Sequence, residues 1–151
     1  MSLATDIADA VVADLNAHTF TIAFTSARKW LAELKLAEVS DTLHVTIVPG
    51  TLAQTPATRT KRQADCQIQI GVRKRPPSLA DAAGHVKNSL IDPLANLVQE
   101  IDDFLATQQT LTTLAGVVWI ASELTLPFSA EHLASWNQFT SVLTLTYRNW
   151  R

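Results

Sequence analysis

Residues Phe139 to Tyr147 read Phe-Thr-Ser-Val-Leu-Thr-Leu-Thr-Tyr, with Phe, Ser, Leu, Leu and Tyr at odd positions and Thr, Val, Thr and Thr at even ones. Successive side chains of an extended strand point to opposite faces, so this run has one apolar face for a core and one polar face of β-favouring residues. A long strand over 139–147 is therefore required, and the rest of the chain must supply a layer to cover its apolar side.

The 151 residues suffice for one domain spanning 1–151 that buries roughly two-thirds of its unfolded surface. Apolar residues at 47% and charged residues at 17% exclude a disordered chain. No stretch approaches the roughly 20 apolar residues that cross a bilayer, and Met-Ser-Leu-Ala-Thr-Asp has an acid where an export signal has bases. The expectation is a protein that stays in the cytoplasm where it is made and has no membrane partner. The single cysteine, Cys66, has no internal partner for a disulfide.

The net charge of -2 conceals a segregation. Residues 1–27 sum to -3, residues 28–75 to +5 and residues 76–151 to -4. A basic middle between acidic flanks fits nucleic-acid contact, and it equally fits a protein that docks one surface onto another surface of its own copy.

Leu3, Ile7, Ala10, Val11 and Leu15 fall at helical spacing and predict a helix over 3–16, with Ser2 as its cap. Phe20, Ile22 and Phe24 alternate and predict a first strand over 19–25; Trp30, Leu31, Leu34 and Leu36 follow in a segment that should lie against the body. A second strand over 43–48 stops at Pro49-Gly50, opening a fourteen-residue loop over 49–62. The third strand, 63–75, buries Cys66, Ile68, Ile70 and Val72 on one face and ends at Pro76-Pro77. Asp92-Pro93 has the form of a cap followed by proline at the first helical position. The stripe Leu94, Leu97, Val98, Ile101 and Leu105 then marks the main helix, preceded by a shorter helical piece over 79–91. Gly116 to Ser122 is apolar on both faces and predicts a central fourth strand, with Trp119 in the core. The fold class expected is α+β: a mixed, mainly antiparallel sheet of about five strands packed by two main helices, in the order helix, three strands, helix, two strands.

No catalytic or cofactor-binding constellation emerges. His18, His44, His85 and His132 do not lie at metal-ligand spacing from one another or from Cys66, so no metal site is expected. Gly50, Gly71, Gly84 and Gly116 are too dispersed for a phosphate loop or a nucleophile elbow. Asp102-Asp103 and the pair Glu123 and Glu131 read as solvated carboxylates, His44 as a surface residue, and Cys66 as an inert core thiol. What remains is contact chemistry. Arg59, Lys61 and Arg62 close the long loop, and Arg73, Lys74 and Arg75 close the strand after it, too far along the chain to form one patch in a monomer. Trp136 and Trp150, near a loop and a terminus, are candidates for burial by a partner. These eight residues are the candidate interface.

Three stretches resemble the tail terminators, or tail-completion proteins, of tailed bacteriophages and prophages: Ile7-Ala-Asp-Ala-Val-Val-Ala-Asp-Leu-Asn, Ile68-Gln-Ile-Gly-Val-Arg-Lys, and Glu131-His-Leu continuing to Gln138-Phe-Thr-Ser-Val-Leu-Thr-Leu-Thr-Tyr-Arg. The likeness covers nearly the whole chain in length and element order; the two-piece region 79–107 departs from the family's simplest form. The resemblance implies a non-enzymatic virion protein without cofactor, assembled in the host cytoplasm into a hexameric ring on the tail. Its partners would be further copies of itself, the tail-tube protein and the head connector, with DNA only as a passenger through the lumen. The segment Pro49 to Arg62 would face the tube or a neighbour. A head-closure or other minor tail protein shares such lengths and layouts, and a small cytosolic enzyme or ligand-binding domain is the alternative from another class.

Overall fold

The computed structural model describes residues 2–30, 43–74, 88–125 and 139–150. Within them, α1 (Leu3–Ala17), β1 (Ser26–Arg28), β2 (His44–Pro56), β3 (Arg62–Lys74), α2 (Asn88–Gln108), β4 (Thr110–Leu111), β5 (Leu114–Thr125) and β6 (Phe139–Trp150) follow in chain order. The strands form one six-stranded sheet in the order β1-β2-β3-β6-β5-β4. Only β1 and β2 run parallel; every other neighbouring pair is antiparallel. The α+β class and the order of helix, strands, helix, strands hold.

The terminal alternating run is β6, and it lies between β3 and β5. Its odd positions Phe139, Ser141, Leu143, Leu145 and Tyr147 are buried, and the last four align across β3 with Val72, Ile70, Ile68 and Cys66, all fully buried. Both helices cover this one face. From α1 come Ile7, Val11 and Leu15, and from α2 come Leu94, Leu97, Val98, Ile101 and Leu105, all joining the same core cluster. At about 1.5–3 kcal/mol per buried large side chain, the α2 stripe contributes on the order of 10 kcal/mol before chain entropy is set against it. Asp14 ties the two helical layers together. Its carboxylate accepts from Gln108 Nε2 at 2.9 Å and from the Thr112 N–H at 3.1 Å.

Several expectations are corrected. Ser2 precedes α1, but its side chain caps nothing; its carbonyl accepts from the Asp6 N–H and the Thr5 hydroxyl instead. Residues 19–25 are not a strand. Their alternation serves an aromatic cluster in which Phe20 meets Phe24, His18 and Phe104, while the Thr21 N–H is taken by Glu100. The strand of this region is the short β1 immediately after it. Trp30 does not lie against the body: it is 64% exposed, with the Arg28 guanidinium 5.8 Å from its ring centre. Residues 31–42 lie outside the described set.

The Pro49-Gly50 stop signal is also overridden. A bulge between Pro49 and Leu52 absorbs it, and β2 continues to Pro56, so the expected fourteen-residue loop is mostly ladder. Gly50 allows the passage because a Cβ there would sit 2.6 Å from the Gln67 carbonyl oxygen. Helix α2 begins at Asn88, before the Asp92-Pro93 signal, and Pro93 is accommodated inside it. Residues 75–87 and 126–138 lie outside the described residues, and with them most of the shorter helical piece and the segment containing Trp136. Finally, β5 is apolar on both faces without being central. Its outer neighbour is the two-residue β4, Val118 is 40% exposed, and Trp119 is half-buried at the margin of the core.

Candidate interaction surface

Strand β3 runs from Arg62 to Lys74, roughly 40 Å at 3.3 Å per residue, so the two basic clusters stand at opposite ends of the sheet. At the first end β2 and β3 are joined by a tight tip. The N–H groups of Ala57 and Thr58 both donate to the Lys61 carbonyl at 3.1 Å, and the Thr58 hydroxyl oxygen accepts from the N–H of Lys61 at 3.0 Å. All residues from Ala53 to Arg62 are exposed. The ladder behind the tip and the bonds within it give Arg59, Lys61 and Arg62 a structured platform.

Pairing of β3 with β6 sets Gln63 opposite Trp150, which brings the aromatic side chain beside this basic tip. Trp150 is 53% exposed, with the Arg148 guanidinium 5.8 Å from its ring centre. Arg148 is itself held by Asp65, Nε to Oδ1 at 2.8 Å and Nη2 to Oδ2 at 3.0 Å. The charge-assisted bonds from Arg148 hold the Asp65 carboxyl below its ordinary pKa despite partial desolvation. This end of the sheet therefore carries three exposed cations and an exposed indole, and the next charges along the strands neutralise each other.

At the far end the arrangement differs from the expected basic cluster. Arg73 is only 9% exposed and Lys74 is half-buried, because the strand is still inside the sheet there. Those two bases are thus less available for docking than their sequence position implies. Arg75 and Trp136 lie outside the described residues. Of the eight candidate interface residues, the structure brings Arg59, Lys61, Arg62 and Trp150 to one end of the sheet.

The sheet face away from the helices carries Gln67 and Gln69 of β3 opposite Thr146 and Thr144 of β6, with Glu123 of β5 beside Thr144. No helix of the described residues packs on it. His44 lies on this face opposite Arg73, half-buried rather than freely exposed, with its Nε2 enclosed.

On the helix side, His18 stacks on Phe104 with ring centres 4.1 Å apart. They border an open depression of about 450 Å³ lined also by Glu100, Asp103, Thr107 and Gln108. Its carboxylates are occupied structurally: Glu100 accepts from Thr21 and Asp103 from Gln99 Nε2 at 2.9 Å. The depression is not legible in local sequence pattern, because it depends on His18 stacking on Phe104, a residue far along the chain. Burial raises the Cys66 thiol to about 11, which suppresses the reactive thiolate at neutral pH. Among the described residues no group of three or more His, Cys, Asp or Glu side chains has a metal-binding arrangement. No helix among the described residues is long and apolar enough to cross a membrane.

No family model matches the chain, and no curated protein matches it significantly.

Proposed function

We propose that this protein is a non-enzymatic virion assembly subunit of the tail-terminator kind, which closes into a ring of identical copies on the tail tube and meets the head connector. The observation that carries the reading is that Arg59, Lys61 and Arg62, on a structured, exposed tip, and Trp150, at the end of β6, share one end of the sheet. Exposed aromatic and Arg side chains are the groups that anchor protein contacts, and a head-to-tail ring needs two unlike surfaces on each copy. The acidic flanks of the chain supply complementary charge. The Thr and Gln face suits the wall of a channel for DNA, since its central strands offer few unpaired charges to trap or repel a polyanion.

The test is assembly. Sedimentation velocity and negative-stain microscopy, with and without the tail-tube protein, should show rings. Replacing Arg59, Lys61 and Arg62 by Glu should abolish rings or release tail length from control while the monomer stays folded. A protein that remains monomeric under both conditions, or a charge-reversed variant that assembles normally, overturns the reading.

A further inference from the structure

Among the described residues, the two edges of the sheet are left unpaired in complementary places. Strand β1 pairs with β2 only at Val45, Thr46 and Ile47. Beyond it, β2 is exposed at Gly50, Thr51 and from Ala53 to Pro56. Strand β4 accompanies β5 only between Leu114 and Val118, with one further bond from the Trp119 N–H to the Gln109 carbonyl at 2.7 Å. Beyond that, Ala121, Ser122, Glu123 and Thr125 are exposed. Each edge thus leaves about six residues of strand, whose alternate N–H and C=O groups point outward, unpaired among the described residues, and such an edge is a template for another strand.

Resting on the ring reading above, we infer that the occupant of each edge is a second copy of this chain: the outer edge of β5 in one copy pairs antiparallel with the outer edge of β2 in the next. The directions are right, because β2 and β6 run one way and β3 and β5 the other, so β5 meets the β2 of an identically oriented neighbour antiparallel. The faces select a register. Leu52 lies on the helix face opposite Cys66, and Leu124 lies on that face opposite Leu143; both are half-buried at the margin of the core. Setting Leu52 against Leu124 matches face to face along the whole segment, with Thr55 opposite Ala121 and Ala53 opposite Glu123. Pro49 and Pro56, which lack an N–H, bound the ladder at its ends.

The same register decides between a ring and an open filament. Within one copy Ala53 is level with Asp65 of β3, whereas Glu123 is level with Gln69, through Thr144. Joining Ala53 to Glu123 therefore staggers successive copies by about four residues of β3, or ~14 Å, across four long strands spaced ~4.8 Å apart. The stagger equals about one residue per strand and tilts the strands by about 35°, the ratio found in closed barrels. The basic tip of one copy then reaches β4 and the C-terminal end of α2 in its neighbour. The last turn of that helix carries no base, and its carbonyl dipoles favour cations.

Disulfide trapping tests the pairing. Opposed residues of antiparallel strands have Cα atoms about 4.5–5.5 Å apart, within reach of a disulfide. The double variant Thr55→Cys with Ala121→Cys should give, under mild oxidation, a ladder of multiples of 16.5 kDa on a non-reducing gel. Each single variant should stay unlinked and an equal mixture of the two should stop at dimers. Both positions are exposed, and cooperative thermal unfolding of the single variants verifies the fold. Rings visible by microscopy without the ladder would overturn the edge pairing and leave the ring reading intact. A failure to form any oligomer, with no ladder, would overturn both. Linkage of the single variants to added tail-tube protein, with none between copies, would assign the edges to that protein and overturn the inference.

Discussion

Arg148 and Asp65 face each other across the two central strands as a register pair, joined by two parallel bonds of 2.8 and 3.0 Å on the face away from the helices. This fixes a sign for the acid limb of stability. The Asp65 carboxyl has a lowered pKa in the folded state, chiefly through the Arg148 bonds, so the unfolded chain takes up its proton first as pH falls.

The pair's contribution is therefore complete above the ordinary Asp value of about 4 and disappears as pH falls through the lower folded value. Arg148→Gln should lower the melting temperature slightly at pH 7 and flatten the loss of stability below pH 4. Thermal melts across pH 2–7, with an NMR titration of Asp65, check this; an Asp65 titration unchanged in the variant would refute it.

Gly50→Ala should destabilise by about 1–3 kcal/mol, because the added methyl would meet the Gln67 carbonyl oxygen at 2.6 Å, a backbone atom that cannot swing away. Urea denaturation measures the loss. Hydrogen exchange should rise selectively along residues 50–56, where the bulge holds the tip against β3.

Gln109 occupies the left-handed region at φ 60° just after α2, where its N–H donates to the Leu105 carbonyl at 3.1 Å. Glycine adopts that conformation without the Cβ penalty. Gln109→Gly should therefore raise stability by about 0.5–1 kcal/mol, read from the denaturation midpoint at unchanged slope, and a loss would show that the side chain has a role of its own.

Tyr147 is 1% exposed and its hydroxyl is enclosed without a hydrogen-bond partner. Tyr147→Phe removes an unpaired polar atom and should leave stability unchanged or raise it by up to about 1 kcal/mol. Burial, reinforced by Asp14 and Asp102, raises the phenol's pKa, and burial raises the Cys66 thiol from 9.0 to about 11. Both groups therefore support the fold fully below their unfolded values and lose that support as pH rises through the folded ones. The Phe variant should show a shallower decline above pH 10, and Cys66 should react with a thiol reagent only on unfolding.

The elements legible in the sequence are those whose pattern and burial coincide. Strands β3 and β6 alternate cleanly because one face meets the helices, and the α2 stripe is apolar because it covers that face. Residues 19–25 misled because alternating Phe20 and Phe24 serve an aromatic cluster with Phe104, far away in sequence. The Pro49-Gly50 signal misled because a bulge against β3 outweighs local turn preference. Strand β5 looked central because Val118 and Ile120 add a second apolar face that the sheet does not bury fully. The site was half legible. The basic residues stood out by composition, but the placement of Trp150 beside them depends on the non-local pairing of β3 with β6, and the burial of Arg73 depends on its neighbours in the sheet.

The position of β6 between β3 and β5 has a consequence for biosynthesis. Until residues 139–150 have left the ribosome, the hairpin of β2 and β3 shares no ladder with β4 and β5, and among the described residues the halves of the sheet are joined only through helical packing and the chain itself. Completion of the native sheet must then wait for the emergence of β6, so a nascent chain stalled before residue 139 should remain protease-sensitive and one extended past residue 150 by a tunnel-length linker should not.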